Sequence, residues 1–468
     1  MSIGELIFNS TKESQNFEAI RYDNKSITYF DLNDKALSIA SLLSKMGFYQ
    51  SVIGIVGQKN LSPYVGLLGS LYAGCSYTPI NTKYSNQRIK DILEACSIKV
   101  IIGSKIDLTP LLPIFEKFDV LIICVDGSID YKNVESLGKR DIERAYPLSN
   151  PKEVDDNFIA YILFTSGSSG KPKGVQVTHG NVIAFILNMK KLYTLDKGYK
   201  ASHTFDLSFD LSVCDIFFTW SNSGTLCVLP ENEKLIPTDY IQREKIEFWF
   251  SVPTLASFMD KFDSLKEDIF PSLKYSLFCG EPLPILLAKK WSNSAKNSTV
   301  ENVYGPTEAT IHLTRRIYSE NDVNSNFSNG IVPIGRAFDD HIIEIIDEND
   351  NRIPRGNVGE IVFKGPQISK GYLNDEKKTK AFFVNFIWDK SSDVWYKSGD
   401  LGFYNNDGDI ECLGRIDNQI KFAGRRVDIG DIEYILRRYP EIDDLIIVPI
   451  RDENLLVKSL IGFTTNII

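Results

Sequence analysis

Tyr161–Val182 reads YILFTSGSSGKPKGVQVTHGNV. Four apolar residues of strand character come first. Ten small or charged residues follow, with three glycines and two lysines, and then a second apolar run and a helix start. A loop of small residues held between ordered elements exposes backbone N–H groups and hydroxyls, which suits a polyphosphate. A plain Ser/Gly turn would account for the small residues alone. Lys171 and Lys173 add two ammonium groups beside the hydroxyls of Thr165, Ser166, Ser168 and Ser169, an arrangement suited to linked phosphates. A Walker A loop needs Gly-Lys followed by Ser or Thr, whereas Gly170-Lys171 is followed by Pro172. The stretch therefore predicts a nucleotide-handling fold of another kind.

Composition bounds the rest. At about 150 residues per domain, 468 residues with 43% hydrophobic content predict two or three domains. A net charge of −9 without a basic run argues against a nucleic-acid partner and leaves an anionic nucleotide to local lysines and backbone amides. No apolar stretch reaches the ~20 residues a membrane span needs, and the opening MSIGELIFNSTKES lacks a signal-peptide pattern. Seven scattered cysteines without a close CxxC pair read as reduced thiols of a cytoplasmic protein.

Apolar periodicity predicts a helix over 39–47 ended by Gly47, a buried strand over 51–57, a helix over 64–74 and a strand over 99–104. Such alternation predicts an α/β fold of sheets covered by helices. The acidic stretch from Asp347 to Asn357 reads as a hairpin turn.

The loop resembles the phosphate-loop signature of the adenylate-forming superfamily, which includes acyl-CoA synthetases, luciferases and the amino acid adenylation domains of nonribosomal peptide synthetases. Further segments resemble the family's motifs in order: SITYFDLN (26–33), LYAGCSYTPINTKYSNQRI (71–89), FDLSVCD (209–215) and NVYGPTEAT (302–310). GEIVFKGPQISKGYL (359–373), YKSGDLG (396–402) and GRIDNQIKFAGRRVDIGDIE (414–433) complete the series. The resemblance implies a large N-terminal domain, 1–416, of helix-covered sheets with a β-rich subdomain. A small mobile α+β domain, 417–468, would follow, hinged at Asp417.

Within the resemblance, Asp400 accepts the ribose hydroxyls, although an Asx turn would also explain an Asp between two glycines. Arg415 is expected on the same ribose, Tyr304 against adenine, and Asn302 near its amino group, with Gly305 in the same motif. Thr307 and the loop hydroxyls of Thr165, Ser166, Ser168 and Ser169 hold the α-phosphate, among the backbone amides of Gly167 and Gly170 and the ammonium groups of Lys171 and Lys173. Glu308 matches the family's magnesium ligand, so ATP and Mg²⁺ are expected. The chemistry implied is attack of a substrate carboxylate on the α-phosphorus and then capture of the acyl-AMP by a thiol, with Thr165, Ser166, Lys173 and Glu308 in the catalytic set. The loop around Phe422, Ala423 and Gly424 resembles the thiolation loop.

The acid is read from Asp210. In amino-acid-activating relatives an Asp here binds the α-ammonium group, and a carboxylate deprived of its cation rejects substrates lacking the amine. Asp210 could also cap a helix starting at Leu211. The same transfer lines the side-chain pocket with Leu211, Cys214, Ser251, Leu277, Cys279, Val303, Ile311 and His312. FDLSVCD, LFCGEPLP (277–284) and NVYGPTEAT together are most similar to the D-alanine:D-alanyl carrier protein ligases. Cys279 reads as a wall of a small pocket, because nothing nearby in sequence would make it a thiolate. Cys214 and His312 depart from the pattern expected for D-alanine, and His312 reads either as a contact to a polar side chain or as a histidine at the pocket rim.

Relatives continue past the segment like LIGFTTNII and carry there a lysine that bridges the carboxylate and AMP, so a truncated small domain and slow adenylation by this chain alone are expected. The expected function is ATP-dependent activation of an amino acid with a small side chain, and its transfer to a phosphopantetheinyl carrier protein. An acyl-CoA or aryl-acid ligase, opposed by Asp210, and a non-catalytic adenylation-like binding module stand as alternatives.

Overall fold

The structure is a computed structural model and describes residues 1–57, 59–165, 172–417, 419–422, 425–436, 445–452 and 456–464. Two compact units divide the chain: Met1–Phe164 with Gly174–Lys234 and Ser369–Asn374, and Thr165–Lys173 with Leu235–Ile368 and Asp375–Ile468.

In the first unit the apolar runs VIGIV, VIIG and LIIC become the parallel strands Val52–Val56, Val100–Gly103 and Leu121–Cys124. They lie in a seven-stranded sheet with Ser76–Ile80, Glu135–Leu137, Ile159–Thr165 and Lys173–Thr178. Runs this apolar need cover on both faces, as parallel sheets do. The helix predicted over 39–47 begins earlier, at Tyr29, because Thr28 and Asp31 form a reciprocal cap. It ends at Lys45, with Gly47 left-handed just beyond. The helix Leu61–Tyr72 packs against it so closely that a Cβ on Gly69 would lie 2.8 Å from a methyl of Ile39. Four further strands of this unit run in the order Lys200–His203, Thr225–Val228, Glu18–Tyr22 and Lys25–Thr28. The fold-deciding stretch has the expected flanks: strand Ile159–Thr165, strand Lys173–Thr178, and helix His179–Leu192 capped by Thr178 and Asn181.

In the second unit Phe248–Ser251, Tyr275–Phe278 and Thr299–Tyr304 are adjacent parallel strands, extended by antiparallel Thr314–Ile317 and Arg336–Ala337. Trp291 packs between them and their helices, 5.6 Å from Trp249 and 5.2 Å from Phe278 by ring centres. An antiparallel sheet of Ile342–Ile346, Gly359–Lys364, Phe383–Val384, Trp395–Tyr404 and Ile410–Arg415 is the expected β-rich part. The acidic stretch 347–357 is indeed the turn between its first two strands. Hairpin Gln419–Phe422/Arg425–Asp428, helix Ile429–Leu436 and hairpin Leu445–Arg451/Val457–Thr464 follow, closed by a small core of Ile420, Ile429, Leu445, Ile447 and Val457. The fold is therefore mixed α/β, as the pattern predicts. The compact division falls elsewhere than at Asp417. Among the described residues no helix is long and apolar enough to cross a membrane.

Candidate active site

Asp400 stands at the centre of the best-built cluster. It lies inside the strand Trp395–Tyr404 and is buried, so the Asx-turn alternative falls away. The antiparallel register sets Asp400 directly opposite Arg415. A guanidinium nitrogen of Arg415 lies 3.3 Å from the Asp400 carboxylate, and the Tyr304 hydroxyl donates to its other oxygen. The Asp400 N–H donates to Ser398 Oγ at 2.9 Å, and that hydroxyl donates to the Ile361 carbonyl at 2.6 Å. Gly399 is left-handed, and a Cβ there would meet the Arg415 guanidinium at 2.6 Å. Burial first, and the Asp400 charge second, push the Tyr304 phenol well above its ordinary range, so it remains a donor.

Asn302 and Tyr304 share one strand and one face. Both N–H donors of the Asn302 amide are used, on the carbonyls of Val332 at 2.7 Å and Pro333 at 3.2 Å. Its carbonyl oxygen is thereby oriented as an acceptor, the requirement for a contact to an exocyclic amino group. Asn302, Val303, Tyr304, Asp400 and Arg415 line one cavity of about 320 Å³. Lys421 lines it too, with its ammonium 4.9 Å from the centre of the Tyr304 ring. Arg415 also grips Asp417 with two nitrogens, at 3.0 and 2.7 Å, joining the expected ribose ligand to the expected hinge residue.

Past Tyr304 the chain turns sharply. A Cβ on Gly305 would come within 2.5 Å of the His312 Cα, so the loop closes on itself only with glycine there. Thr307–Ala309 is one turn of 3₁₀-helix, with Glu308 fully buried. Ile311 and His312 follow, also fully buried. His312 is thus interior rather than at a rim, edge-on to Phe250 at 6.0 Å and Phe338 at 5.5 Å. Burial, aided by the cation of Arg315, holds its ring at about 3, so it is neutral in ordinary buffers. Ser251, Cys279 and Val303 sit at the carboxyl edge of the three parallel strands, where α/β sheets bind ligands. Leu277 lies within the middle strand, and Trp249 donates to the Ser251 hydroxyl at 2.9 Å.

In the first unit Asp210 stands half-buried at the entry of a helical run that is α over Leu211–Val213, widens to a π turn over Cys214–Phe218 and is α again over Thr219–Ser221. Widened turns of this kind cluster at functional sites. Its side chain makes no capping bond, so the capping alternative is withdrawn. Its charge is felt by the buried Tyr161. Leu211 and Cys214 are buried on the same run. Asp215 pairs with His203 at 3.0 Å, and burial moves the two pKa values in opposite directions, leaving the pair without net charge.

Of the phosphate loop, Thr165 ends one strand and Lys173 begins the next, half-buried and buried respectively. Ser166, Gly167, Ser168, Ser169, Gly170 and Lys171 lie outside the described residues, as do Ala423 and Gly424. None of the seven cysteines is in a disulfide, and six of them are buried. Sequence reasoning missed Ser398 and Gln367 as supports. Both lie inside quoted motifs, but only cross-strand packing reveals what they hold.

Two of the four buried histidines, His179 and His312, show how acid weakens the fold. His179 accepts the Ile3 N–H at 3.2 Å, and burial lowers its pKa to about 4, alongside about 3 for His312. Both are neutral when folded and titrate near 6.5 when unfolded, so between those values the unfolded chain binds more protons. The stability they support is complete above pH 6.5 and falls as pH drops toward 4, by about 2 kcal/mol per histidine at pH 5. Urea unfolding at pH 7, 6 and 5 should show this slope, and His179→Asn should flatten it; an unchanged unfolding free energy over that range would refute the assignment.

Residues 7–373 match the family described as AMP-binding enzymes. The chain is 31% identical over 442 residues to a D-alanine–D-alanyl carrier protein ligase of Bacillus velezensis, covering 92% of this chain and 82% of that protein. It is 32% identical over 450 residues to a ligase of the same name from Lacticaseibacillus casei, covering 95% and 84%. Among solved structures it is similar to the Vibrio cholerae adenylation domain AlmE, crystallised with glycyl-adenosine-5′-phosphate. That likeness has 30% identity and a TM-score of 0.88, and covers 99% of this chain and 88% of that one. A buried carboxylate held between a tyrosine and an arginine on a nucleotide-sized cavity, within a match over most of the sequence, establishes that this chain belongs to the AMP-binding enzyme family.

Proposed function

We propose that the protein activates a small amino acid with ATP and transfers it to the phosphopantetheine thiol of a carrier protein. A substrate carboxylate oxygen attacks the α-phosphorus, the bond to the β-phosphate oxygen breaks, and pyrophosphate leaves with its charge. The thiolate of the carrier then attacks the acyl carbon and AMP departs. No protein nucleophile is needed, so the chain's own contribution is positioning and charge stabilisation. Asp400 and Arg415 hold the ribose, and Tyr304 and Asn302 hold the adenine. Thr307, Thr165, Lys173 and the loop residues Ser166, Ser168, Ser169 and Lys171 meet the phosphates. Glu308, a fully buried carboxylate, would hold Mg²⁺, which would supply Lewis-acid stabilisation of the phosphate charge. Asp417 is the hinge of a small domain, 417–468, that turns between the two half-reactions. Mostly buried cysteines outside any disulfide support a cytoplasmic setting.

One observation carries the amino-acid assignment: Asp210 presents a half-buried carboxylate at a helix entry where it does no capping work. An α-ammonium group is the cation such a site selects. Cys279 and Val303, with Cys214, suggest a small or medium side chain such as alanine, serine or cysteine. ATP–pyrophosphate exchange across the twenty common amino acids and D-alanine tests this. A small amino acid should lead; exchange led by phenylalanine or tryptophan would overturn the size assignment, and exchange only with fatty or aryl acids the function.

A further inference from the structure

Two consecutive residues after Glu308 lie in the left-handed region: Thr310 at φ 54° and Ile311 at φ 78°. A β-branched residue rarely adopts that conformation and holds it only where its surroundings over-determine it. Among those surroundings one side chain bonds the turn at several points. Gln367 is fully buried, and its amide nitrogen lies 2.9 Å from the His312 carbonyl, 3.1 Å from that of Thr310 and 3.3 Å from that of Ala309. The Gln367 backbone carbonyl accepts the Thr310 hydroxyl at 2.6 Å. The amide rides on a firm support, because Gln367 sits in the tight turn 365–368 at the end of the strand Gly359–Lys364. A Cβ on Gly365 would come within 2.4 Å of the His341 ring, so that turn has one way to close.

Gly305 pins the loop from one side and Gln367 from the other. Between them the carbonyls of 309, 310 and 312 converge on one NH₂ group, which only an amide of this length and polarity satisfies. We infer that Gln367 is a specificity-positioning residue: by holding the strained Thr310–Ile311 turn it sets where Ile311 and His312 stand as walls of the amino acid pocket. The inference rests on the reading above that these two residues face the substrate side chain. Gln367 itself touches no reacting group.

The test is Gln367→Met, close in shape but without N–H donors, assayed by pyrophosphate exchange with the amino acid the wild type prefers and with leucine. The ratio of the two kcat/KM values does not depend on how much enzyme is folded, so it separates positioning from mere instability. That ratio should fall about tenfold or more, the size of a methylene-scale change in an apolar pocket, with KM for ATP within about twofold of wild type. Thr310→Val, which removes only the hydroxyl bond to Gln367, should move the ratio the same way by less, and serves if the methionine variant does not accumulate. An unchanged ratio in the variants that fold would overturn the inference while leaving the function standing. A wild type that exchanges with no amino acid would overturn the function and the inference with it.

Discussion

Asp210→Ala is expected to remove amino-acid-dependent pyrophosphate exchange by on the order of 10³-fold, while ATP still binds with nearly wild-type affinity. Truncating one partner of a desolvated charge pair costs about 2–5 kcal/mol, because the substrate ammonium would then enter the site unpaired. The ordinary objection to such a variant is loss of a helix cap, worth about 1 kcal/mol. That objection fails here, since the Asp210 side chain makes no capping bond to Leu211–Val213. Loss of a cap therefore adds nothing to any change in melting temperature. Equilibrium binding of an ATP analogue, run beside the exchange assay, separates the two halves of the site. Exchange at wild-type rate would remove Asp210 from substrate recognition and with it the amino-acid assignment.

Asp400→Asn should raise KM for ATP on the order of 10²-fold, as expected when charge-assisted hydrogen bonds of about 1.5–3 kcal/mol are lost at two hydroxyls. The asparagine keeps the shape but turns one acceptor oxygen into a donor aimed at the Tyr304 hydroxyl or at Arg415. Tyr304→Phe is the companion variant. It keeps the ring and removes only the hydroxyl, so its KM for ATP should rise only a few-fold. Equal losses in the two variants would mean that Asp400 acts only by holding the tyrosine. An unaltered KM in Asp400→Asn would place the ribose elsewhere.

The two aspartates differ in how far the sequence could take them. Asp400 was legible as a candidate from its motif, and Arg415 from another fifteen residues later. That they oppose each other was not, because the pairing depends on the register of two antiparallel strands and on a backbone kink at Gly399. Asp210 was legible as the residue before a helix, and its capping role was a fair expectation from position alone. Whether a side chain at that position bonds back to the helix is decided by backbone angles, which here are helical at Asp210 itself rather than extended.

His312 and Gln367 mark the limit more sharply. Sequence placed His312 at a pocket rim or against a polar group. The structure buries it between Phe250 and Phe338, where desolvation keeps it neutral. Gln367 sits in a quoted motif with nothing in its neighbours to separate it from a surface glutamine, and its partners lie 55 to 58 residues earlier.

Periodicity and punctuation determined what is local: the flanks of the phosphate loop, the parallel strands of the first unit, the hairpin turn at 347–357 and the order of the motifs. They succeed because strand alternation, helix periodicity and caps involve residues within about four of one another. Tertiary structure alone decided which motif faces which. The tyrosine, carboxylate and guanidinium of the cavity span more than a hundred residues of chain, and their supports come from 30 to 58 residues away. Contacts over that distance are set by sheet register and by the packing of one strand end on another, for which a short window of sequence holds no signal.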